Sequence, residues 1–198
     1  MMLEVGKPAA DIEAYTKQIL TEVERMTAFM NDLLMVSKIE AGKIDFNPQL
    51  TDLPNFVNEI MTQSYSPWKD GRTLNVLQKG TANDVAVDTR MLRHVLQNLI
   101  DNAFKYSSGK TAPTLRIRYG KNQIVISIVD NGIGIHNDDI AKLFASFSRG
   151  RNVANIAGTG MGLVVVKYFV DQHTGNICIK SNLDIGTIFS VTIPYKKS

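Results

Sequence analysis

A lone carboxylate, Asp130, stands between a strand-like segment and two closely spaced glycines, and this arrangement could recognise a flat ligand. Apolar residues alternate over 124–128 and predict a strand that ends at Asp130. Gly132 and Gly134 allow the backbone to turn tightly and to lie close against a ring. A carboxylate only accepts hydrogen bonds, so between the apolar Ile133 and Ile135 it suits an exocyclic amine on an aromatic ring. Taken alone, an Asp-Asn-Gly segment is more often a plain turn.

Two asparagines on a predicted helix could complete the ligand shell of a metal ion. The apolar spacing predicts a helix over Ala86–Ser107, and Asn98 and Asn102, four residues apart, project from one side of it. Neutral amide oxygens can complete the shell of a Mg2+ ion that also binds phosphate oxygens and water. Lys105, about one turn further on, could supply a point charge for phosphate. The plainer interpretation is a pair of solvated asparagines.

A glycine-rich segment further along could bind an anion. It precedes an apolar helix predicted to run through Phe169, so its backbone N–H groups and the helix dipole would favour a negative charge. Its spacing is neither that of the Rossmann fingerprint nor that of a P-loop, because no Gly-Lys-Ser/Thr follows. Upstream, residues 143–151 contain two aromatic residues and two arginines. The glycine-rich segment reads Gly158-Thr159-Gly160-Met161-Gly162-Leu163.

A long amphipathic helix is predicted at the start of the chain, over residues 11–41. Ile12, Ile19, Met26 and Leu33 recur every seven residues, and further apolar positions widen this stripe. A single helix cannot bury such a face, so it requires partner helices. We favour a bundle-forming dimer helix over a core helix of the main domain.

The rest of the chain predicts an α/β domain. The segment after the long helix reads as a linker, so we predict a helical region over 1–43 and an α/β domain over 44–198. We predict that Cys178, within a strand, is a buried apolar residue. The predicted elements are a helix over Leu53–Gln63 and strands over Thr73–Gln78, Thr114–Tyr119, Gln123–Val129, Asn176–Ser181 and Thr187–Pro194.

The composition narrows the function classes. With 198 residues and 44% hydrophobic residues, the chain can bury a core. The net charge is only +3 and the charges are interleaved, so nucleic acid is not an expected partner. A single cysteine excludes an internal disulfide and a cysteine metal site, and it fits a reducing compartment. No apolar run reaches the length of a membrane span.

Together these motifs resemble the conserved boxes of sensor histidine kinases, in the order and spacing of that family, over roughly residues 45–195. The resemblance implies the Bergerat fold, a two-layer α/β sandwich with a mixed, mostly antiparallel sheet and helices on one face. Here a long bundle-forming helix precedes it. The segments that carry the resemblance are Asn98–Ser107 (N box), Asp130–Ile135 (G1 box), Leu143–Phe147 (F box), Gly158–Leu163 (G2 box) and Gly186–Phe189.

The resemblance also implies a site for ATP or ADP with Mg2+. In such a site Asp130 would bind the adenine amino group, and Asn102 would coordinate Mg2+, helped by Asn98. A mobile lid over 136–157 would bring an arginine to the terminal phosphate, and Lys105 with its neighbour would contact phosphate and ribose. The remaining residues that the resemblance assigns to the nucleotide are Tyr106, Gly132, Gly134, Ile135, Phe147, Arg149, Arg151, Gly158, Thr159, Gly160, Met161, Gly162, Leu163 and Thr187.

One position separates the branches of this superfamily. Its ATP-hydrolysing members carry a glutamate where this chain has Asn98. A glutamate can activate water as a general base, whereas an amide cannot. The site therefore suits a kinase that keeps the γ-phosphate for another acceptor. The alternatives are an ATP hydrolase of the same superfamily and an ATP-binding scaffold.

Residues 23–42 resemble the second helix of the dimerisation and phosphotransfer hairpin of these kinases. The first helix of that hairpin carries the phosphoacceptor histidine, and none of His94, His136 and His173 has its sequence context. We therefore expect this chain to bind ATP without autophosphorylating, with residues 1–8 as the tail of the first helix and the hairpin turn. The implied partners are the phosphoacceptor helix of the full-length kinase, a response regulator receiver domain and a second copy of the kinase. The implied location is cytoplasmic, and the full-length protein could carry a membrane anchor.

Overall fold

The helices and strands of the chain follow from a computed structural model, which describes residues 9–64, 68, 70–81, 84–146, 148, 150, 156 and 158–195. In chain order they are α1 (Ala9–Glu40), β1 (Gln49–Thr51), α2 (Leu53–Ser64), β2 (Asn75–Lys79), β3 (Val85–Val87), α3 (Thr89–Tyr106), β4 (Thr114–Tyr119), β5 (Gln123–Asp130), α4 (Asn137–Ile140), α5 (Gly162–Gln172), β6 (Asn176–Asn182) and β7 (Gly186–Pro194).

Five of the described strands form one sheet in the order β2-β4-β5-β7-β6. β2 runs parallel to β4, and the other neighbouring pairs are antiparallel. β1 and β3 form a separate short antiparallel pair. The sheet is therefore mixed and mostly antiparallel, as the sequence predicts.

Helices cover one face of this sheet. Alternate residues of β5 are buried, and the side chains of Ile124, Ile126 and Ile128 are inaccessible to solvent. α3 packs against β5 and α5, and α5 packs against β6. The alternation in the strands and the apolar stripe of α3 thus meet in a single core between the two layers. The predicted two-layer α/β sandwich is confirmed.

The start of α3 differs from the prediction. The sequence predicts a helix from Ala86, but Ala86 lies in β3, which pairs with β1. The carboxylate of Asp88 then caps the helix by accepting hydrogen bonds from the backbone N–H groups of Arg90 (3.0 Å) and Met91 (3.2 Å). Because the β-branched Val85 and Val87 favour a strand and Asp88 favours the cap position, the helix begins at Thr89.

Most of α1 is exposed. The helix ends at Glu40, and Gly42 follows with a φ of +62°. Only the last turns pack against the domain, where Val36 is buried and α1 contacts α5. The large apolar residues that remain exposed along α1 are Ile12, Tyr15, Ile19, Leu20, Val23, Met26, Phe29, Met30, Leu33 and Leu34. The division of the chain into 1–43 and 44–198 stays a prediction.

Three further expectations can be compared with the structure. The prediction that Cys178 is buried is wrong: it is exposed because it pairs with Ser190 on the open face of the sheet, in the edge strand β6. The predicted strand over Thr73–Gln78 lies at Asn75–Lys79. Trp68, in the loop after α2, packs with its ring stacked on Phe104 at 4.7 Å between centroids. Within the described residues, none of the helices combines the length and apolar character needed to cross a bilayer.

Candidate functional site

A cavity of about 330 Å3 opens between α3, the turn after β5 and the segment before α5. Gly132 and Met161 do not line this cavity, although the family resemblance assigns them to the nucleotide. The predicted Phe147, Arg149 and Arg151 lie outside the described residues. The predicted site residues that do line it are Asn98, Asn102, Lys105, Tyr106, Asp130, Gly134, Ile135, Gly158, Thr159, Gly160, Gly162, Leu163 and Thr187.

Asp130 presents a buried carboxylate to this cavity from the end of β5. Its residue surface is only 6% exposed, and its Oδ1 accepts a hydrogen bond of 2.8 Å from the backbone N–H of Gly132. Burial raises the pKa of this carboxyl above its ordinary value, while the backbone N–H groups of Gly132 and Thr187 oppose the rise. A desolvated acceptor of this kind favours a ligand that donates a hydrogen bond.

The turn after Asp130 lies directly against the end of α3. The backbone N–H of Ile133 donates to the carbonyl oxygen of Tyr106 at 3.2 Å. A Cβ atom on Gly132 would lie 2.3 Å from that same oxygen, so only glycine allows this approach. The residue therefore acts through backbone packing, which is why it is absent from the cavity wall.

Asn98 and Asn102 meet on one side of α3, as their spacing predicts. The amide nitrogen of Asn102 donates to Oδ1 of Asn98 at 3.1 Å. The Asn98 amide lies against α5, because a Cβ on Gly162 would be 2.1 Å from its nitrogen. Asn102 lines the cavity and uses only its amide nitrogen in this bond, whereas the oxygen of Asn98 accepts from Asn102.

Lys105 brings the end of α3 close to the glycine-rich segment. Its ammonium group donates to the hydroxyl of Tyr106 at 3.1 Å and lies 4.6 Å from the centre of that ring. A Cβ on Gly158 would stand 2.8 Å from the same nitrogen. A positive charge thus sits beside the backbone that precedes α5, where an anion would be stabilised.

Thr159 connects the glycine-rich segment to α1. Its hydroxyl accepts from the backbone N–H of Met161 at 3.2 Å and donates to Oδ2 of Asp32 at 2.6 Å. The side chain of Met161 is fully buried in the core, so this predicted site residue packs in the interior at the start of α5 and does not face the cavity.

Sequence reasoning missed several residues around the cavity. Asp32 lies in a helix whose heptad pattern marks only its apolar positions, so no local signal pointed to it. Ser181 is a second omission: its hydroxyl accepts from the backbone N–H of Ile135 and bonds with Thr187, both at 2.9 Å. Asp101 stands between the two site asparagines and could have been noticed from that position alone. Of the remaining lining residues, only Ala28 lies outside the segments that the sequence analysis assigns to the site, which contain Ile133, Leu143, Ser148, Gly150 and Phe189.

The fold and this cavity define the class of protein. The sheet is mixed and is covered by helices on one face. The cavity lies between an Asn pair on a helix, an Asp at the end of a strand and a glycine-rich segment that begins a helix. This is the arrangement of the Bergerat ATP-binding fold. Residues 87–197 match the family described as "Histidine kinase-, DNA gyrase B-, and HSP90-like ATPase". The chain belongs to this family, and its relatives identify its catalytic domain as the type found in sensor histidine kinases.

Three comparisons illustrate the relationship. Sensor histidine kinase YvrG of Bacillus subtilis (strain 168) is 32% identical over 176 residues, which are 88% of this chain and 30% of that protein. The histidine kinase AdeS of Acinetobacter baumannii has a TM-score of 0.74 at 28% identity, covering 98% of this chain and 89% of that structure. Full-length ShkA in complex with AMPPNP, at 19% identity and a TM-score of 0.76, shares the fold over 98% of this chain and 41% of that structure. The chain thus spans about a third of the length of the curated relatives it matches.

Proposed function

We propose that this chain binds ATP in the cavity and presents its γ-phosphate to the phosphoacceptor histidine of a sensor histidine kinase. The observation that carries the proposal is the convergence of three sequence-distant segments on one cavity: α3 with Asn102 and Lys105, the end of β5 with Asp130, and the glycines before α5. ShkA, which has the same fold, is a complex with AMPPNP, and this supports the binding of ATP by the present chain.

The base would lie at the Asp130 end of the cavity. The buried carboxylate accepts hydrogen bonds only, so it pairs with the amino group of adenine and not with the carbonyl oxygen of guanine. Gly134 and Thr187 stand beside it, and Ile135 and Leu163 supply apolar wall for the ring.

The phosphates would lie at the opposite end. Lys105 supplies a positive charge there, and the first turn of α5 supplies backbone N–H groups and the positive end of the helix dipole. The hydroxyl of Tyr106 orients the Lys105 ammonium group. We assign Arg149 or Arg151 to the terminal phosphate from the family resemblance.

The donor set fits Mg2+. Mg2+ commonly keeps several waters and takes only one or two protein ligands beside phosphate oxygens. The amide oxygen of Asn102 would be the protein ligand, and Asn98 would orient it through their hydrogen bond. Among the described residues no group of three His, Cys, Asp or Glu side chains could hold the ion instead. When bound, Mg2+ would neutralise charge on the phosphates.

Asn98 favours phosphoryl transfer over hydrolysis. Its amide lies beside Asn102, where a hydrolytic member of the superfamily needs a general base, and an amide cannot take a proton from water. The purified chain should therefore release phosphate from Mg-ATP only slowly. Steady, magnesium-dependent turnover would instead favour the ATP hydrolase.

The acceptor would be a histidine on the phosphoacceptor helix of the full-length kinase. His173 is unsuitable because it is buried, with Nδ1 2.7 Å from the carbonyl oxygen of Phe169 and Nε2 accepting from the backbone N–H of Asp88. His94 and His136 are exposed, and neither carries the sequence context of the acceptor. The phosphoryl group would then pass to a response regulator receiver domain.

The exposed apolar stripe of α1 supports a helical bundle, which a second copy of the kinase would complete as a homodimer. We place this region in the cytoplasm, where ATP is available, in a full-length protein that could carry a membrane anchor. Nucleic acid has no role in the proposal.

The test is titration of the chain with Mg-ATP by calorimetry, together with two variants. Asp130→Asn replaces an acceptor-only group with an amide and should weaken binding at least about tenfold. Asp171→Asn is the matched control, since Asp171 is an exposed carboxylate at the far end of α5 and does not line the cavity. Equal affinity of Asp130→Asn and wild type would refute the assignment of the base.

A further inference from the structure

Arg72, from the loop between α2 and β2, binds the last turn of α3. Its Nη2 donates to the carbonyl oxygen of Phe104 at 2.8 Å, and its Nη1 donates to the carbonyl oxygen of Ser107 at 2.8 Å and to the Ser107 hydroxyl at 3.0 Å. The last carbonyls of a helix lack partners within the helix, and they carry the negative end of its dipole. The guanidinium group supplies donors for these carbonyls, and it also places a positive charge at the negative end of the dipole.

The Arg72 side chain is itself held in place and only 15% exposed. Its Nε donates to Oδ2 of Asp70 at 2.8 Å, and its guanidinium carbon lies 5.1 Å from the centre of the Phe104 ring. Trp68 stacks on that same ring. Each nitrogen of the guanidinium fork therefore has a partner, and the group lies over the face of the Phe104 ring.

The turn of helix that Arg72 holds is the one that shapes the cavity. Lys105 and Tyr106 line the cavity from this turn. The carbonyl oxygen of Tyr106 accepts from the backbone N–H of Ile133 and lies against Gly132, in the turn that follows Asp130. A displacement of this helix end would therefore move the groups proposed for phosphate and the turn beside the base together.

We propose that Arg72 is a positioning residue of the nucleotide site, acting through the last turn of α3. The inference rests on the proposed function, because the groups that it positions are those assigned to ATP. Arg72 does not line the cavity and is not assigned any contact with the ligand.

Arg72→Lys tests this role, because lysine keeps the charge but loses the planar fork. The matched control is Arg93→Lys: Arg93 also stacks on a phenylalanine, Phe56, at 5.2 Å, and also binds a carboxylate, Glu59, at 2.9 Å, but away from the cavity. We expect Arg72→Lys to weaken Mg-ATP binding about tenfold, as disturbed outer-shell partners do. Arg93→Lys should retain the wild-type affinity.

Two readouts separate positioning from a general loss of stability. Partial unfolding lowers the number of binding sites in a calorimetric titration, whereas poor positioning changes the dissociation constant of the folded sites. Amide exchange supplies the second: in Arg72→Lys, exchange at the Ile133 N–H should accelerate while amides within α5 keep their protection. Should Arg72→Lys fail to fold, Ser107→Ala removes one acceptor of the same fork and should weaken binding in the same direction.

Wild-type affinity in Arg72→Lys, with unchanged exchange at Ile133, would overturn the role of Arg72 and leave the proposed function intact. A wild-type chain that binds no adenine nucleotide would overturn both. Equal losses of affinity in Arg72→Lys and Arg93→Lys would show that the effect is general destabilisation.

Discussion

At the scale of single residues, the cavity combines polar groups whose burial lowers the stability of the protein without a ligand. Asp130 is a carboxylate that burial separates from water, and its pKa is raised for that reason. Asn102 and Lys105 are polar groups held at the same cavity by contacts with their neighbours. Burying such groups costs free energy unless a ligand forms hydrogen bonds with them. Substitutions at the site that weaken binding should therefore be able to raise the stability of the free protein.

The first prediction concerns the stability of Asp130→Asn. The substitution removes a buried charge but keeps the shape and an acceptor for the N–H of Gly132, so the free variant should be more stable than wild type at pH 7. We expect a rise in Tm of about 2–4 °C, the shift that corresponds to 1 kcal/mol in a domain of this size. Thermal unfolding measured without nucleotide checks it.

The raised pKa of Asp130 also predicts how the stability difference between wild type and Asp130→Asn changes with pH. The folded pKa of Asp130 lies above its unfolded value, so the stability contributed by protonation is fully present below the unfolded pKa of about 3.9. It is lost as the pH rises through the folded pKa. The stability advantage of Asp130→Asn should therefore shrink as the solution is acidified. An advantage that grows toward low pH would contradict the assigned cause.

At the scale of elements, α3 is the helix that organises the site, and both of its ends are fixed by long-range contacts. Arg72 binds its C-terminal turn. At its N-terminus, Asp88 accepts from the backbone N–H groups of Arg90 and Met91, and also from that of Asn47 in the segment after α1. Burial by itself would raise the pKa of Asp88, but the hydrogen bonds from Asn47, Arg90 and Met91 outweigh it and hold the pKa below its ordinary value.

The second prediction follows from this cap. Asp88→Ala should lower the free energy of unfolding by about 1–2 kcal/mol at pH 7, the upper range for loss of an N-cap. Because the folded pKa is lowered, this contribution is present above the unfolded pKa and is lost as the pH falls through the folded pKa. Urea unfolding at pH 7 and at acidic pH measures the difference.

The chain offers a matched control for the cap. Asp52 plays the same part for α2, where its Oδ1 accepts from the backbone N–H of Asn55 at 3.1 Å, but it is exposed to solvent. Water can replace that bond, so Asp52→Ala should cost less than Asp88→Ala. Equal costs would show that burial of the cap at Asp88 adds nothing.

The third prediction concerns α1. If its exposed apolar stripe forms a bundle, the chain should self-associate, and Ile19→Glu should weaken that association by about tenfold or more, which is about 1.4 kcal/mol. Gln18→Glu introduces the same charge at the adjacent residue. Because Gln18 is not one of the apolar residues of the stripe, this substitution should have little effect. Sedimentation over a range of concentrations measures both. A wild-type chain that stays monomeric at high concentration would refute it.

At the scale of the whole molecule, the cavity exists only when the sheet, α3 and α5 are packed together. Asp130 ends a central strand, the asparagines lie on one covering helix, and the glycine-rich segment begins the other. A ligand that contacts all of them binds the folded state and not the unfolded chain. Its binding energy must therefore appear as added stability.

The fourth prediction is a ligand-dependent rise in Tm. Mg-ATP at about 100 times its dissociation constant should stabilise the fold by about 2.7 kcal/mol. In a domain of this size this amounts to about 5–10 °C. Removal of Mg2+ with EDTA should reduce the shift. GTP should give little or none, because guanine offers an oxygen where adenine offers an amine to Asp130. Equal shifts with GTP would contradict the proposed place of the base.

Patterns within short stretches of sequence were sufficient to predict most elements and the class of site. The strand over Thr114–Tyr119 and the end of β7 at Pro194 agree with the structure, because alternation reports directly on which face of a strand is buried. The i, i+4 spacing of Asn98 and Asn102 likewise fixes their common side of α3, since helix geometry alone sets it. These are consequences of local backbone geometry.

Only the tertiary structure decided the features that depend on which segments meet. Cys178 has the pattern of a buried strand residue, yet it lies on the exposed side of β6. Asp32 and Thr159 are 127 residues apart, and Arg72 reaches Phe104 across 32. No local propensity encodes such pairs, because their partners come together only when the two layers pack. The sequence by itself therefore determined the elements and the kind of ligand to expect, and long-range packing decided how the site is held.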